Sequence, residues 1–439
     1  MKRTDTIVIG GGQAGLAMSH CLTGRGIDHV VLERGRVAER WRRERWDSLR
    51  LLTPNWQSRL PGFRYTGPDP DGFMTMPEIT SYLEQYARSF AAPVQGETTV
   101  LAVERRDAGF DVTTDQGSWH APNVVVATGY CDLPLVPDAA RHLTGDVLQL
   151  VPGDYRCPAR LPDGGVLVVG ASSSGIQLAD EIQQSGRPVT LAVGRHMRLP
   201  RHYRGRDILW WLDAMGLFDE SVDEVYDAEI SRNQPSLQLV GRPDHATLDL
   251  GRLRGGGVRL VGRVTGASGH TVHLRDDVVS YMAAADIKLA SLLSRIDRYV
   301  ERSGLADAVG EREPFTPICW PPHAPTPERL DLEAQGIRTV IWATGFRRSY
   351  PWLRVPALDD RGEIRHGGGV TPVAGLYVLG LQFLRRRKSA FIDGVGDDAE
   401  ALAAHLDARM AAGVRRAGLT GVRTRSRATT AGYREGRPL

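Results

Sequence analysis

The feature that most constrains this chain is a loop that occurs twice. Thr6–Ile9 is a short, mostly β-branched run that breaks into Gly10-Gly11-Gly12-Gln13-Ala14-Gly15, followed by an apolar, helix-like stretch over residues 16–23. Val30-Val31-Leu32 reads as the next strand and ends at Glu33, 18 residues past Gly15. Strand, glycine loop, helix, strand and terminal acid in one short unit form the βαβ fingerprint of dinucleotide binding. The glycines let the backbone approach a pyrophosphate, whose charge sits on the helix N-terminus, and the acid reaches a ribose.

The second copy starts with an apolar strand over residues 166–169. Gly170-Ala171-Ser172-Ser173-Ser174-Gly175 is its loop, residues 176–184 its helix and residues 189–193 the strand after it. Ser172 stands where the middle glycine belongs. Its Cβ crowds a pyrophosphate, while its hydroxyl can donate to one. No acid ends the following strand. Gly194-Arg195-His196-Met197-Arg198 follows instead, with Arg195 20 residues past Gly175. A guanidinium there suits a 2′-phosphate and favours NADP over NAD.

Two further motifs match each other. Val126-Ala127-Thr128-Gly129-Tyr130 and Trp342-Ala343-Thr344-Gly345-Phe346 each follow a β-branched run. A strand that ends in small residues lets the chain pass close to a bound dinucleotide, which makes Ala127, Gly129, Ala343, Thr344 and Gly345 candidate contacts. The order is loop, Ala-Thr-Gly, loop, Ala-Thr-Gly. Its economical layout is an α/β fold of two Rossmann-like domains, one inserted into the other. The proline-dense residues 151–165 and 314–327 read as the crossings. That layout puts residues 1–155 and 325–412 in the outer domain, 156–324 in the inserted domain with a helical region, and 413–439 in a tail. Residues 281–300 carry apolar side chains at 281, 285, 289, 292, 293, 296 and 300, one face of a packing helix.

Composition narrows the class. At about 150 residues per domain, 439 residues suggest two to three domains. With 41% hydrophobic and 24% charged residues the chain is ordinary globular protein, which excludes a disordered or fibrous one. The net charge of +3 is too small to argue for nucleic acid. From Gly413 onward there are seven arginines and one acid, so the body is mildly acidic and the tail reads as flexible. Cys21, Cys131, Cys157 and Cys319 form no tight pair, which speaks against a disulfide scaffold, a zinc ribbon or a redox dithiol. No metal site is expected. Without a run of 18 apolar residues no membrane span is expected, and the setting reads as reducing and cytoplasmic.

Together these residues resemble the flavin-containing monooxygenases and their Baeyer–Villiger relatives, within the flavoproteins that bind two dinucleotides. The resemblance runs from about residue 4 to residue 406. It rests on the first loop with Glu33, the segment from Glu39-Arg40-Trp41 to Asn55, both Ala-Thr-Gly turns, the second loop and Gly375-Leu376-Tyr377-Val378-Leu379-Gly380. It implies FAD at the first loop, NADPH at the second, and O2 with a small organic molecule as co-substrates. Reduced flavin would form a C4a-hydroperoxide and pass one oxygen atom to a nitrogen, sulfur or ketone substrate.

The resemblance also implies roles by position. Gly10, Gly12, Gln13, Ala14 and Gly15 would hold the FAD pyrophosphate, and Glu33 with Arg34 its ribose. Trp41, Leu52 and Thr53 would lie near the flavin, and Val100 would meet the adenine through its backbone. Gly380 and Phe391 would close the flavin side, with Phe391 just ahead of a helix whose N-terminus faces the pyrimidine. Gly170, Ser172, Ser173, Ser174, Gly175, Arg195 and His196 would hold NADPH. Asn55 would be the catalytic group, an uncharged donor where an oxyanion develops.

Some positions depart from the family. Its stretch ahead of the second loop has a histidine four residues after a glycine, whereas here Gly145 is followed by Gln149, and Tyr155 falls two residues late. Residues 199–207 and Arg385-Arg386-Arg387-Lys388 read either as grips for a phosphate or acidic substrate, or as solvated loops. The absent histidine leaves room for a flavin-dependent NAD(P)H oxidase or reductase without an oxygenated product. A nucleotide-binding regulator without turnover is a third reading. The pattern is compatible with a homodimer.

Overall fold

The computed structural model describes residues 1–107, 109–320 and 327–425. Thr6–Ile9 (β1) runs through the first loop into the helix Gln13–Gly24 (α1), and His29–Leu32 (β2), Val94–Gln95 (β3) and Asn123–Val126 (β4) follow. The second unit begins with Leu148–Leu150 (β5) and Gly165–Val169 (β6), which leads into the helix Ser173–Gln184 (α2). Val189–Ala192 (β7), Arg259–Val261 (β8), the long helix Val278–Arg302 (α3) and Ile337–Trp342 (β9) complete it. Leu376–Val378 (β10) and the helix Val395–Arg425 (α4) return to the first unit.

The two units share one plan. The first sheet has the order β10-β4-β1-β2-β3 and the second β5-β9-β6-β7-β8, every pairing parallel. In each, the loop strand is central, with the Ala-Thr-Gly strand on one side and the ribose-side strand on the other. Parallel strands covered on both faces need apolar side chains at every position, not at alternate ones. β1, β2, β4, β6 and β7 are buried at every residue accordingly.

The sheets move the expected domain boundaries. β5 and β9 pair within the second sheet, so residues 148–155 and 327–342 go with the inserted unit, not with the outer one. The chain crosses where Leu133–Pro134 pairs antiparallel with Phe346–Arg347, just past the two Ala-Thr-Gly turns. Proline density marks irregular chain without saying which side of a boundary it lies on. Residues 321–326 of the second proline-dense stretch lie outside the described residues. α4 continues to Arg425, beyond the expected start of a flexible tail at residue 413, and residues 426–439 lie outside the described residues.

α3 buries Met282, Ala285, Leu289, Leu293, Ile296 and Val300, much of the expected stripe. The stripe packs with Leu199, Tyr203, the short helix Ile208–Ala214 and Phe218. Leu52 and Phe391 of the outer unit join this cluster. Two acids, Asp286 and Asp297, also lie on the buried face of α3.

Candidate active site

The first loop separates two demands on glycine. Gly10 has φ of +113°, and a Cβ on it would lie 2.6 Å from the Ala127 carbonyl oxygen. A Cβ on Gly15 would lie 1.8 Å from the Gly10 carbonyl oxygen. Both glycines are therefore required by the chain's own packing. A Cβ on Gly12 would meet nothing within 4 Å, so the open space over the loop lies at the middle position. α1 starts there without a side-chain cap, which leaves its first N–H groups for an anion. This cradle fits a dinucleotide pyrophosphate.

Other expected residues converge on the same loop. Glu33 accepts from the Gly11 N–H at 2.6 Å and from the Gly35 N–H at 3.0 Å, so its carboxylate stands at the loop's edge. A Cβ on Gly380 would lie 2.7 Å from the Ala14 Cβ. The Trp41 indole donates to the Gln13 side-chain oxygen at 3.4 Å. Val100 begins a strand two residues past Thr98, whose N–H donates to the Glu33 carbonyl at 2.8 Å. Gly129 closes the Ala-Thr-Gly turn with φ of +77°. Arg34 instead points outward and pairs with Glu44 at 2.8 Å.

The second loop repeats this construction. Gly170 has φ of +108°, and its Cβ would lie 2.4 Å from the Ala343 carbonyl oxygen, while one on Gly175 would lie 1.7 Å from the Gly170 carbonyl. Ser172 starts α2 without capping it, so its hydroxyl is left for a ligand. The Ser173 hydroxyl accepts from Gln177 at 3.1 Å, Ser174 is half-buried, and the Thr344 hydroxyl donates to the Leu135 carbonyl. Gly345 has open space at its Cβ position. Arg195 is exposed, and no acid among the described residues pairs with it. His196 does not join it: the ring is buried, its Nδ1 lies 2.9 Å from the Gly194 carbonyl, and burial lowers its pKa. A neutral, inward-facing imidazole is not a phosphate ligand.

Between the units, Phe391 meets the Phe218 ring edge-on at 5.5 Å between centroids. Leu52 lies against the same cluster, and Thr53 beside it is half-buried. Asn55 is buried with both ends of its amide engaged. Its Nδ2 donates to the Asp69 carbonyl at 2.8 Å, and its Oδ1 accepts from the Met74 N–H at 2.9 Å. The side chain thus pins the 69–74 loop, and one amide N–H is left over.

Residues 7–212 match the family model of the pyridine nucleotide-disulphide oxidoreductases. A flavin-containing monooxygenase from Stenotrophomonas maltophilia has a similar structure, with a TM-score of 0.63 at 21% identity, covering 93% of this chain and 100% of that one. A probable indole-3-pyruvate monooxygenase of Arabidopsis thaliana, YUCCA4, is 31% identical over 208 residues, 45% of this chain and 49% of that protein. An uncharacterized CzcO-like oxidoreductase of Geobacillus kaustophilus is 34% identical over 401 residues, 91% of this chain and 97% of that protein. The chain belongs to the CzcO-like oxidoreductases. It is an enzyme of the oxidoreductase type. Among the described residues, no helix is long and apolar enough to cross a membrane.

In this oxidoreductase the basic stretches are structural. Arg198 pairs with Asp249 at 2.9 Å and Asp286 at 2.6 Å. Arg201 is buried, binds Asp207 and donates to the Leu52 carbonyl at 2.8 Å. Arg204 reaches Asp297 at 3.4 Å. Arg386 pairs with Asp397 at 2.9 Å, Arg387 with Glu220, and Lys388 with Asp219 at 2.9 Å. Gln149, in the family's histidine position, accepts from the Trp342 indole at 2.9 Å and donates to the Ala140 carbonyl at 3.0 Å. Sequence reasoning missed Arg59, which holds Asp393 through two bonds of 2.5 and 2.8 Å. These residues lie 334 positions apart, so no local spacing could reveal the pair.

Proposed function

We propose that this protein is an NADPH-dependent monooxygenase that places FAD on the first loop and NADPH on the second. The observation that carries the reading is the matched construction of the two loops, one ending at a carboxylate and the other at an unpaired arginine. Gly12 and the free N–H groups of α1 would receive the FAD pyrophosphate, and Glu33 would turn from the loop amides to a ribose. Ser172 and the start of α2 would receive the NADPH pyrophosphate, and Arg195 its 2′-phosphate. FAD held on the first loop would supply the O2 activation, a chemistry that side chains do not provide.

The protein's own residues then position and shield. Leu52 and Phe391 form the outer unit's share of an apolar seam whose other wall is Tyr203, Trp211 and Phe218 of the inserted unit. That seam excludes water from a small organic substrate. The spare N–H of Asn55 is the one uncharged donor that its buried amide still offers. Donation there to a developing oxyanion is the catalytic role assigned to it.

The engagement of Gln149 keeps the oxidase reading in view, because nothing at that position is free to act on a bound cofactor. One experiment separates the two. FAD-loaded protein is given NADPH and ¹⁸O2 with a panel of a thioether, a tertiary amine, a cyclic ketone and indole-3-pyruvate. Mass spectrometry should find one ¹⁸O atom in a product derived from at least one of them. NADPH consumption that yields only hydrogen peroxide across the panel refutes the monooxygenase reading.

A further inference from the structure

The last two turns of α3 carry a feature the dinucleotide sites do not use. Arg295, Arg298 and Arg302 line a concavity of about 420 Å³ together with Tyr299 and Met215. All three arginines are exposed, and none forms an ion pair with an acid among the described residues. By contrast, Arg198, Arg201, Arg204 and Arg242 of the same unit each hold a partner carboxylate. Like charges one turn apart on a helix cost about 0.2–0.5 kcal/mol per pair. The negative helix end offsets this for Arg302, the basic residue of the final turn. Arg298 and Arg295 lie further in, where that compensation fades.

The other wall is built and apolar. The Tyr299 hydroxyl donates to the Ala214 carbonyl at 2.9 Å, which fixes its ring beside Met215 at the end of the short helix. Arg302 donates through Nε to the Arg298 carbonyl at 3.1 Å, leaving its terminal nitrogens free. Three planar guanidinium groups present the paired donors that match phosphate oxygens, and the adjoining ring and thioether suit an apolar body.

We infer that the C-terminal end of α3 is a second anion site, built for the phosphate group of a small organic phosphate. It shares no residue with either dinucleotide loop. A free organic phosphate and an acidic lipid headgroup offer the same group, and the Tyr299 ring and Met215 thioether beside the arginines favour the free one, whose apolar body they would cover.

The test uses FAD-loaded, full-length protein saturated with NADP⁺, so that the dinucleotide loops are filled. Phenyl phosphate, inorganic phosphate and vesicles of phosphatidylglycerol in phosphatidylcholine are titrated by calorimetry at low salt. Phenyl phosphate should bind more tightly than inorganic phosphate. Arg298→Gln and Arg302→Gln should each weaken it about tenfold, the loss of one charge-assisted bond. Arg195→Gln should leave this binding unchanged. Unaltered binding in the triple variant Arg295→Gln/Arg298→Gln/Arg302→Gln would overturn the inference, as would an absence of heat with phenyl phosphate. Binding to the vesicles alone would overturn it in favour of a lipid surface. The variants are exposed, and an unchanged flavin spectrum and Tm report that each is folded.

Discussion

Gly12 and Gly15 of the first loop carry different burdens, and substitution separates them. Gly15→Ala drives a Cβ into the Gly10 carbonyl, an overpacking of the kind that costs about 1–3 kcal/mol or more. It should lower the Tm of the apoprotein and abolish FAD retention together. Gly12→Ala meets no atom of the chain, so the apoprotein should keep its Tm while FAD affinity, followed by flavin fluorescence, falls. A parallel fall in Tm would show that the middle glycine is structural too. Arg195→Gln should weaken NADPH binding about tenfold and leave NADH binding nearly unchanged, because only NADPH carries the phosphate. Equal losses for both nucleotides, measured by stopped-flow flavin reduction, would remove Arg195 from the site.

At the scale of elements, the start of α4 and the strap that docks on it determine how the flavin side is held. The Val222 N–H donates to the Arg385 carbonyl at 2.8 Å, and the Lys388 N–H donates to the Phe218 carbonyl at 3.1 Å, so the two segments lie edge to edge. Asp219 and Glu220 face the cations of 385–388 across this seam. These pairs are partly exposed, worth about 0–1 kcal/mol each. The double variant Asp219→Asn/Glu220→Gln should therefore lower Tm only slightly, while hydrogen exchange over residues 385–394 speeds up. Wild type in 1 M salt should approach the variant's rate. Just behind the strap, Asp398 is buried in the first turn of α4, and burial raises its pKa to about 6. A carboxyl held above its unfolded value takes up a proton on folding. Its contribution is therefore present at pH 4 and lost as pH rises through about 6, a change of about 3 kcal/mol. Asp398→Asn should flatten that part of the urea-unfolding pH profile, and an unchanged slope would assign it to another group.

At the scale of the whole molecule, the legible part was what the chain writes locally. Glycine spacing, the apolar strands and the Ala-Thr-Gly turns each span a few residues, and the structure joins Gly10 to Ala127 and Gly170 to Ala343 as that reading requires. What was not legible depends on distant partners. The basic stretch 199–207 could not be told from a phosphate grip until Asp286 and Asp297 of α3 came to face its neighbours. The domain boundaries failed for the same reason, since only strand pairing shows that β9 belongs beside β6. That nesting also sets an order of assembly. The inserted unit is one continuous run from β5 to β9, and it can close its sheet as soon as it leaves the ribosome. The outer unit cannot, because β10, Gly380 and α4 are made after the inserted unit and must return across more than 200 residues to β4 and α1. During synthesis the first loop waits unfinished beside a completed neighbour. With FAD on the first loop, as proposed, its capture would have to wait for β10, and a chain that stalls before β10 would carry its inserted unit without a flavin.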